Sequence, residues 1–312
     1  MQDVYPVSMS ETILSAQGVE PAFSIDVQSV ERGGRPAVFV VSPPTDRDLP
    51  LIVSSPHSGR DYEAAFLERC RLPLNVLRTS EDFHVDTLVA SAPSHGATLL
   101  HANFPRVVCD VNRACMDIDP RMISDASKSG CAPTSRGLAG LGSVPGVVSG
   151  GQLLYATRLS MKEVTERLQR FWRPYHETLS ELIESKRQRH GFCVLLDVHS
   201  MPPGVEGSRA DCVIGDRYGT SCDREMSRAI AAVLREQKFQ VARNHPFAGG
   251  YITTHYGRPR EGVQAVQLEI CRTLYMHPRN GGGFGLNTRI VDSVDRVIAA
   301  TAQEVRRRLS DV

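Results

Sequence analysis

Short apolar runs closed by breakers alternate with stretches of helical spacing along most of the chain. "AVFVVSPP" and "LIVSSPHSG" are apolar runs ending in prolines or small polar residues, which predicts strands. "EAAFLERC" and "DFHVDTLVASAPSHG" carry helical spacing, and "ATLLHA" and "RVVCDVNR" return to strand character. The residues from Ala114 to Gly150 are rich in Gly, Ser and Pro with little periodicity, which predicts a long functional or mobile loop. From Gly151 to Gly191 the spacing is helical, with Pro174 expected to kink or divide the helix. "FCVLLDVHS" and "DCVIGDRYG" read as strands, "CDREMSRAIAAVLREQ" as a helix and "VQAVQLEICR" as a strand. The last long stretch, Asn287 to Leu309, is a helix capped by Asn287 or Thr288.

Strands alternating with helices predict one α/β domain over residues 35–312, a mixed and mostly parallel sheet flanked by helices. Residues 1–34 read as an N-terminal arm or an oligomer contact, and the oligomeric state stays open. Composition narrows the function classes. A net charge of +1 creates no global field for nucleic acid or an anionic membrane, so neither is expected as a partner. The basic runs "SKRQRHG" and "EVRRRL" sit near helix ends, where positive charge complements the helix dipole. No apolar stretch approaches the ~20 residues of a membrane span. The N-terminus lacks the basic start and apolar core of a secretory signal. Eight cysteines without a CxxC pair fit reduced thiols, and a cytoplasmic location is expected.

Reactive groups gather where apolar runs end, the place where open α/β sheets build their sites. "LIVSSPHSG" delivers His57, "RVVCDVNR" delivers Asp110, Asn112 and Arg113, "CVLLDVHS" delivers Asp197 and His199, and "VQLEICR" delivers Glu269 and Arg272. "SEDFHVD" adds Glu81, Asp82, His84 and Asp86 within seven residues. Two imidazoles and a carboxylate, with one position left for water, form a usual hydrolytic zinc set. His57, Asp82 and His199 meet that requirement if the sheet brings them together. His84 has three readings: a ligand in place of Asp82, a neighbour of the site, or a residue on an outer helix face. Glu269 lies inside an apolar run, where an unpaired carboxylate is costly. It is either half of an ion pair with an arginine such as Arg272 or a general base of raised pKa. Arg113 and Arg272 are suited to hold substrate carboxylates in two-pronged fashion, or else to tie loops together.

The ordered series "SSPHSGRDY", "SEDFHVDTL", "FPRVVCDVNR", "DIDPRM", "LLDVHSMP", "GDRYGTSC", "GGYITTHYGRP" and "QLEICRTLYM" resembles the N-formylglutamate amidohydrolase family from about Pro50 to Met276. That resemblance implies a zinc-dependent hydrolase with a phosphorylase/hydrolase-like α/β fold, distantly related to zinc carboxypeptidases and aspartoacylases. It implies His57, Asp82 and His199 as metal ligands for Zn²⁺ or another divalent ion, and Glu269 as general base and acid. It further implies Asn112 and Arg113 at a substrate carboxylate, Tyr251 and His255 lining the pocket, and Arg272 in substrate binding. The carboxypeptidase HxxE pattern is absent, since Arg60 stands three residues after His57, so the carboxylate comes from "SEDF", as Asp82 rather than Glu81. "ACMDIDP" and "LEICR" stand where "ELDP" and "EINR" are expected, which leaves the substrate's acyl group and amino acid open.

The implied reaction is hydrolysis of N-formyl-L-glutamate, or a similar N-acyl amino acid, to glutamate and formate. Three rivals remain on sequence grounds. One is a deacylase or small carboxypeptidase with the same metal. Another is a thiol amidase using Cys271 or Cys109, disfavoured because Glu269 beside Cys271 opposes a thiolate. The third is a silent binding protein on a hydrolase fold.

Overall fold

The computed structural model of the protein describes residues 39–45, 47–125, 130–278 and 284–310. The arm expected at residues 1–34 lies outside them. Seven strands form one sheet: β1 (Phe39–Ser42), β2 (Leu51–Ser55), β3 (Thr98–Ala102), β4 (Cys193–Met201), β5 (Cys212–Gly215), β6 (Val241–Arg243) and β7 (Val263–Cys271). Their order is β1-β3-β2-β4-β7-β5-β6. Strands β3, β2, β4 and β7 run parallel, β1 is antiparallel to β3, and the parallel pair β5 and β6 joins β7 antiparallel. A small hairpin of β8 (Met276–Pro278) and β9 (Phe284–Leu286) follows. The helices are α1 (Ala64–Arg69), α2 (Leu74–Leu77), α3 (Val85–Leu88), α4 (Ser135–Leu138), α5 (Met161–Arg167), α6 (Arg173–His190), α7 (Arg224–Glu236), α8 (Tyr251–Tyr256) and α9 (Thr288–Ser310).

Local chemistry sets the long helices. Ser160 and Glu163 make a reciprocal capping box that starts α5. A π turn at Leu168–Trp172 divides the stretch into α5 and α6, and Pro174 falls in the first turn of α6, where a missing N–H is tolerated. Gly191 closes α6 at φ 79°, a backbone angle that suits glycine. Asp223 caps α7 by accepting from Met226 N, and Asn287 Oδ1 caps α9 by accepting from Arg289 N at 3.0 Å.

Both faces of the sheet are covered, so β4 and β7 are buried along their whole length. Ile52, Leu195 and Ala265 pack against Tyr175, Leu179 and Ile183 of α6 on one face. Val53, Leu196, Val198 and Leu268 pack against α7 and α9 on the other, through residues such as Ile230 and Val297. Because successive side chains alternate, Leu195, Asp197 and His199 lie in line on the α6 face, with Ala265, Gln267 and Glu269 beside them in β7. That face is apolar at the start of the strands and polar at their carboxyl ends. Each buried polar group there would cost about 1–3 kcal/mol without partners, and more if charged. The carboxyl end is therefore where hydrogen bonds must concentrate.

Three sequence expectations differ from the structure. Residues 106–113 form a buried turn rather than a strand: Val108 N donates to Pro105 O at 2.9 Å, and Arg106 reaches Asp110 four residues on. Its apolar side chains fill the core beneath a loop, which mimics a strand in composition. The helix expected from Asp82 to Gly96 is reduced to α3 and a 3₁₀ turn. The helical stretch expected from Gly151 begins only at Met161.

Candidate active site

The register of β4 on β7 sets His199 directly across from Glu269 and Asp197 across from Gln267. His57 follows the end of β2, which pairs with β4 on its other side. Asp82 N donates to His57 O at 2.9 Å, so the "SEDF" turn is hooked onto the "SPHSG" turn. The result brings His57, Asp82 and His199 into one cluster, all buried, with one potential ligand atom from each within 4.8 Å of the others.

Each imidazole is oriented by a buried acid. His57 Nε2 donates to Asp110 Oδ1 at 2.7 Å, and His199 Nε2 lies 2.9 Å from Asp197 Oδ2. Since a carboxylate only accepts, His57 carries its proton on Nε2 and turns its Nδ1 inward, while His199 faces a carboxylate at each ring nitrogen, Asp197 at Nε2 and Asp82 at Nδ1. His199 Nδ1 then sits 3.0 Å and His57 Nδ1 3.5 Å from Asp82 Oδ2. His57 Nδ1 is buried and has no hydrogen-bond partner, which is unusual for such an atom. Two inward Nδ1 atoms and a carboxylate oxygen, each ring backed by an acid, make a donor set that fits a divalent metal ion, which would take the place of the proton shared between His199 Nδ1 and Asp82.

The acids are themselves held. Asp197 Oδ1 accepts from Ser54 Oγ at 2.9 Å, and Ser54 Oγ meets Tyr175 OH at 3.0 Å. Asp110 also accepts from Asn112 N at 2.9 Å and Arg106 Nη2 at 2.7 Å. Burial alone would raise the Asp110 pKa, but the charge of Arg106 and the His57 contact hold it well below the usual range. Asp82 follows the same pattern, with His199 and His57 overcoming burial. Burial opposes a charged His199, yet Asp197, Asp82 and Glu269 outweigh it. The same acids favour any cation at this point. Glu269 differs: burial pushes its pKa up to about 7, with Asp82 adding to the rise and His199 opposing it. Its Oε1 accepts from Gln267 Nε2 at 2.8 Å.

A cavity of about 560 Å³ opens over this cluster, within the usual range for small-molecule sites. His57, Asp82, His199 and Glu269 line its floor, and Arg106, Arg113, Arg136, Arg217 and Arg272 surround them. Arg272 reaches Asp82 Oδ1 at 3.3 Å and Ser200 Oγ at 3.1 Å. Arg113 donates Nε to Leu141 O at 2.9 Å, and burial with its cationic neighbours Arg106 and Arg136 lowers its pKa despite Asp110.

The carboxyl end of the sheet thus holds a metal-fit cluster, a carboxyl group of raised pKa and a ring of arginines. The N-formylglutamate amidohydrolase family model matches residues 49–276, which contain all of these groups. The chain belongs to the N-formylglutamate amidohydrolase family. It is a hydrolase of the class that cleaves linear amide C–N bonds. N-formylglutamate deformylase of Pseudomonas putida is 31% identical over 240 residues, spanning 73% of this chain and 82% of the relative. The Pseudomonas aeruginosa deformylase is 30% identical over 239 residues, with the same shares. The crystal structure of N-formylglutamate amidohydrolase from Ralstonia eutropha JMP134 superposes with a TM-score of 0.80 at 36% identity, covering 87% of this chain and 99% of that one.

Within this amidohydrolase, the other residues singled out in the sequence take distinct places. Asn112 Nδ2 lies 3.2 Å from His199 Nε2, and Asn112 Oδ1 accepts from Ile252 N at 2.8 Å. Asn112 therefore joins the cluster to the start of α8. Glu81 turns away from the cluster: it accepts from Tyr62 OH at 2.8 Å and pairs with Arg78. His84 sits at φ 59° before α3, with its ring against Phe83, and takes no part in the metal-fit cluster. Tyr251 and His255 stack on one another on α8, with ring centroids 4.9 Å apart, outside the residues that line the cavity. Cys109 is buried, and burial with the nearby Asp110 charge raises its pKa well above that of a free thiol. Neither Cys109 nor Cys271 lines the cavity.

Sequence reasoning left Asp110 and Asp197 without roles and missed Arg106, Ser54 and Tyr175. One signal was present: "DVH" places an acid two residues before an imidazole on the same face of a strand. The partners of Asp110 come from a turn, whose contacts no periodicity reveals.

Proposed function

We propose that this protein is a metal-dependent deformylase that hydrolyses N-formyl-L-glutamate, or a closely similar N-acyl amino acid, to formate and the free amino acid. The observation that carries this reading is the convergence of His57 Nδ1, Asp82 and His199 Nδ1 beside Glu269. His57, Asp82 and His199 would hold the ion, with Zn²⁺ the first choice for two imidazoles and a carboxylate. When bound, such an ion supplies Lewis acidity, which makes water more acidic and polarises an acyl oxygen.

The protein's own groups do the rest. Asp110 holds the His57 tautomer that presents Nδ1, and Asp197 would accept the Nε2 proton of His199 when its Nδ1 faces the ion. Glu269, with a pKa near neutrality, accepts a proton from the attacking water and returns it to the departing amine nitrogen. Gln267 fixes the Glu269 carboxyl group so that one oxygen is free for this transfer. Arg113, next to Asn112 in the chain and in the lining of the same cavity, holds the α-carboxylate of the amino acid and sets the small acyl group over the cluster. Arg272 steadies Asp82 from the side away from the imidazoles.

A panel of formyl, acetyl and succinyl amino acids tests the substrate assignment. Release of formate from N-formyl-L-glutamate at a kcat/KM above the other members is the expected result. Preference for a longer acyl group, or for a peptide bond, would replace the deformylase reading with a different deacylase or a carboxypeptidase.

A further inference from the structure

The turn after β5 carries a motif that the chemistry above does not use, "GDRYG". Asp216 is fully buried there and accepts from Asn244 Nδ2 at 2.7 Å and Ser227 Oγ at 2.8 Å, with Arg243 as a third partner. Asn244 Oδ1 in turn accepts from Asp216 N at 3.0 Å and Tyr218 N at 3.3 Å. Between these ties, Arg217 and Tyr218 take φ 51° and 60°, two successive side-chain-bearing residues in the left-handed region. Such a conformation is strained for a residue with a side chain and persists only where the surroundings enforce it. Arg217 N is also anchored to Ala248 O at 2.9 Å.

The held turn places Arg217 in the wall of the cavity. Gly249 lets it lie close, since a Cβ there would stand 3.1 Å from Arg217 Cδ, and Gly249 itself has φ +124°. Gly250 makes the next approach, where a Cβ would fall 2.3 Å from Asn112 Nδ2. Outward from His199, the wall therefore runs through Asn112, Gly250 and Gly249 to Arg217. Among the described residues, Arg106 is committed to Asp110 and Arg272 to Asp82, while Arg217 has no carboxylate partner. The nearby acid Glu206 faces His245 at 3.8 Å. A half-buried guanidinium held by backbone strain in a cavity wall, without an acid to neutralise it, is built for an anion that arrives with the ligand.

We propose that Arg217 is the specificity-determining residue that receives the side-chain carboxylate of the substrate. This rests on the amidohydrolase reading of the same site. The α-carboxylate is borne by the carbon next to the scissile nitrogen and belongs beside Asn112 and Arg113. The side-chain carboxylate extends away from the reacting bond, along the glycine wall towards Arg217. Dicarboxylic N-acyl amino acids are then selected over neutral ones of the same shape.

The test compares N-formyl-L-glutamate with N-formyl-L-glutamine in the wild type, Arg217→Gln and Arg217→Lys, each loaded with metal. The expected result is a fall in the glutamate-to-glutamine ratio of kcat/KM of roughly 10- to 100-fold in Arg217→Gln, carried by KM. Arg217→Lys recovers part of it and stands in if the glutamine variant does not fold. An unchanged ratio, even with both rates lowered, overturns the proposal. Calorimetric binding of L-glutamate and L-glutamine reads the same discrimination without turnover. A wild type that binds glutamate in preference through Arg217 but releases no formate would keep this assignment and remove only the deformylase reading.

Discussion

His57 gives its Nε2 proton to Asp110 at 2.7 Å and so leaves Nδ1, buried and without a hydrogen-bond partner, facing Asp82 at 3.5 Å. The contact fixes a tautomer, and the tautomer fixes which nitrogen is free for a cation. Asp110→Asn is expected to keep the fold while allowing the ring to reverse. Metal affinity should drop roughly 10- to 100-fold, as for other acids behind metal-bound imidazoles. Competition with a chromophoric chelator measures it, and unchanged affinity would remove Asp110 from this role.

Glu269 stands across the strand pair from His199 and is not one of the three clustered groups, His57, Asp82 and His199, that could hold a metal ion. Glu269→Gln is therefore expected to retain metal while kcat falls by about 10²- to 10⁴-fold, the usual range for a lost general base. Elemental analysis and formate release on one preparation separate the two effects. Activity near wild type would sink the proton-transfer role.

Ser54 links Tyr175 to Asp197, and Asp197 orients His199. Ser54→Ala leaves two buried polar groups short of a partner. A loss of about 1–3 kcal/mol in unfolding free energy is expected from urea denaturation, together with weaker metal binding. A fully stable variant with unaltered metal binding would show that the chain of contacts does not support the site.

His176 offers a pH test outside the His57, Asp82 and His199 cluster. Its Nε2 donates to Val111 O at 2.8 Å and its Nδ1 accepts from Tyr256 OH at 2.9 Å, which suits a neutral ring. Burial lowers its pKa to about 4, against about 6.5 in an unfolded chain. Above pH 6.5 the ring is neutral in both states and contributes no slope. Between about 6.5 and 4 the unfolded chain takes up a proton that the native protein refuses, so stability falls on acidification by up to about 3 kcal/mol. His176→Gln should flatten that part of the stability curve, and an identical acid slope in the variant would contradict the assignment.

Much of this site was legible in the sequence because strands advertise themselves twice. "VLLDVHS" and "VQLEIC" are apolar runs long enough to be central strands, and their polar residues recur at the period that puts them on one face. Parallel pairing then brings their carboxyl ends together without any further information. Turns carry no such period. "RVVCDVNR" is apolar because it closes the core under a loop, and its composition imitates a strand. The short helix α8 was not anticipated, since six residues between glycines are too few for a helical pattern, and its start depends on Asn112, over a hundred residues away. Pro174 was expected to kink or divide the helix, and a π turn at Leu168–Trp172 separates α5 from α6 just before it. The acids behind the imidazoles were visible as residues, but their roles arise from contacts between distant segments.

No helix among the described residues is long and apolar enough to cross a membrane. The thiol alternative also loses ground, because Cys109 is buried with a raised pKa and neither it nor Cys271 faces the cavity.

The most direct measurement couples metal content to turnover. The purified protein is stripped with chelator, Zn²⁺ is restored stepwise, and formate release from N-formyl-L-glutamate is followed at each step. The account predicts that activity disappears on stripping and returns in proportion to bound metal, reaching its maximum at one ion per chain. Formate release that survives complete removal of metal, or that is abolished by thiol alkylation while indifferent to chelator, would contradict it.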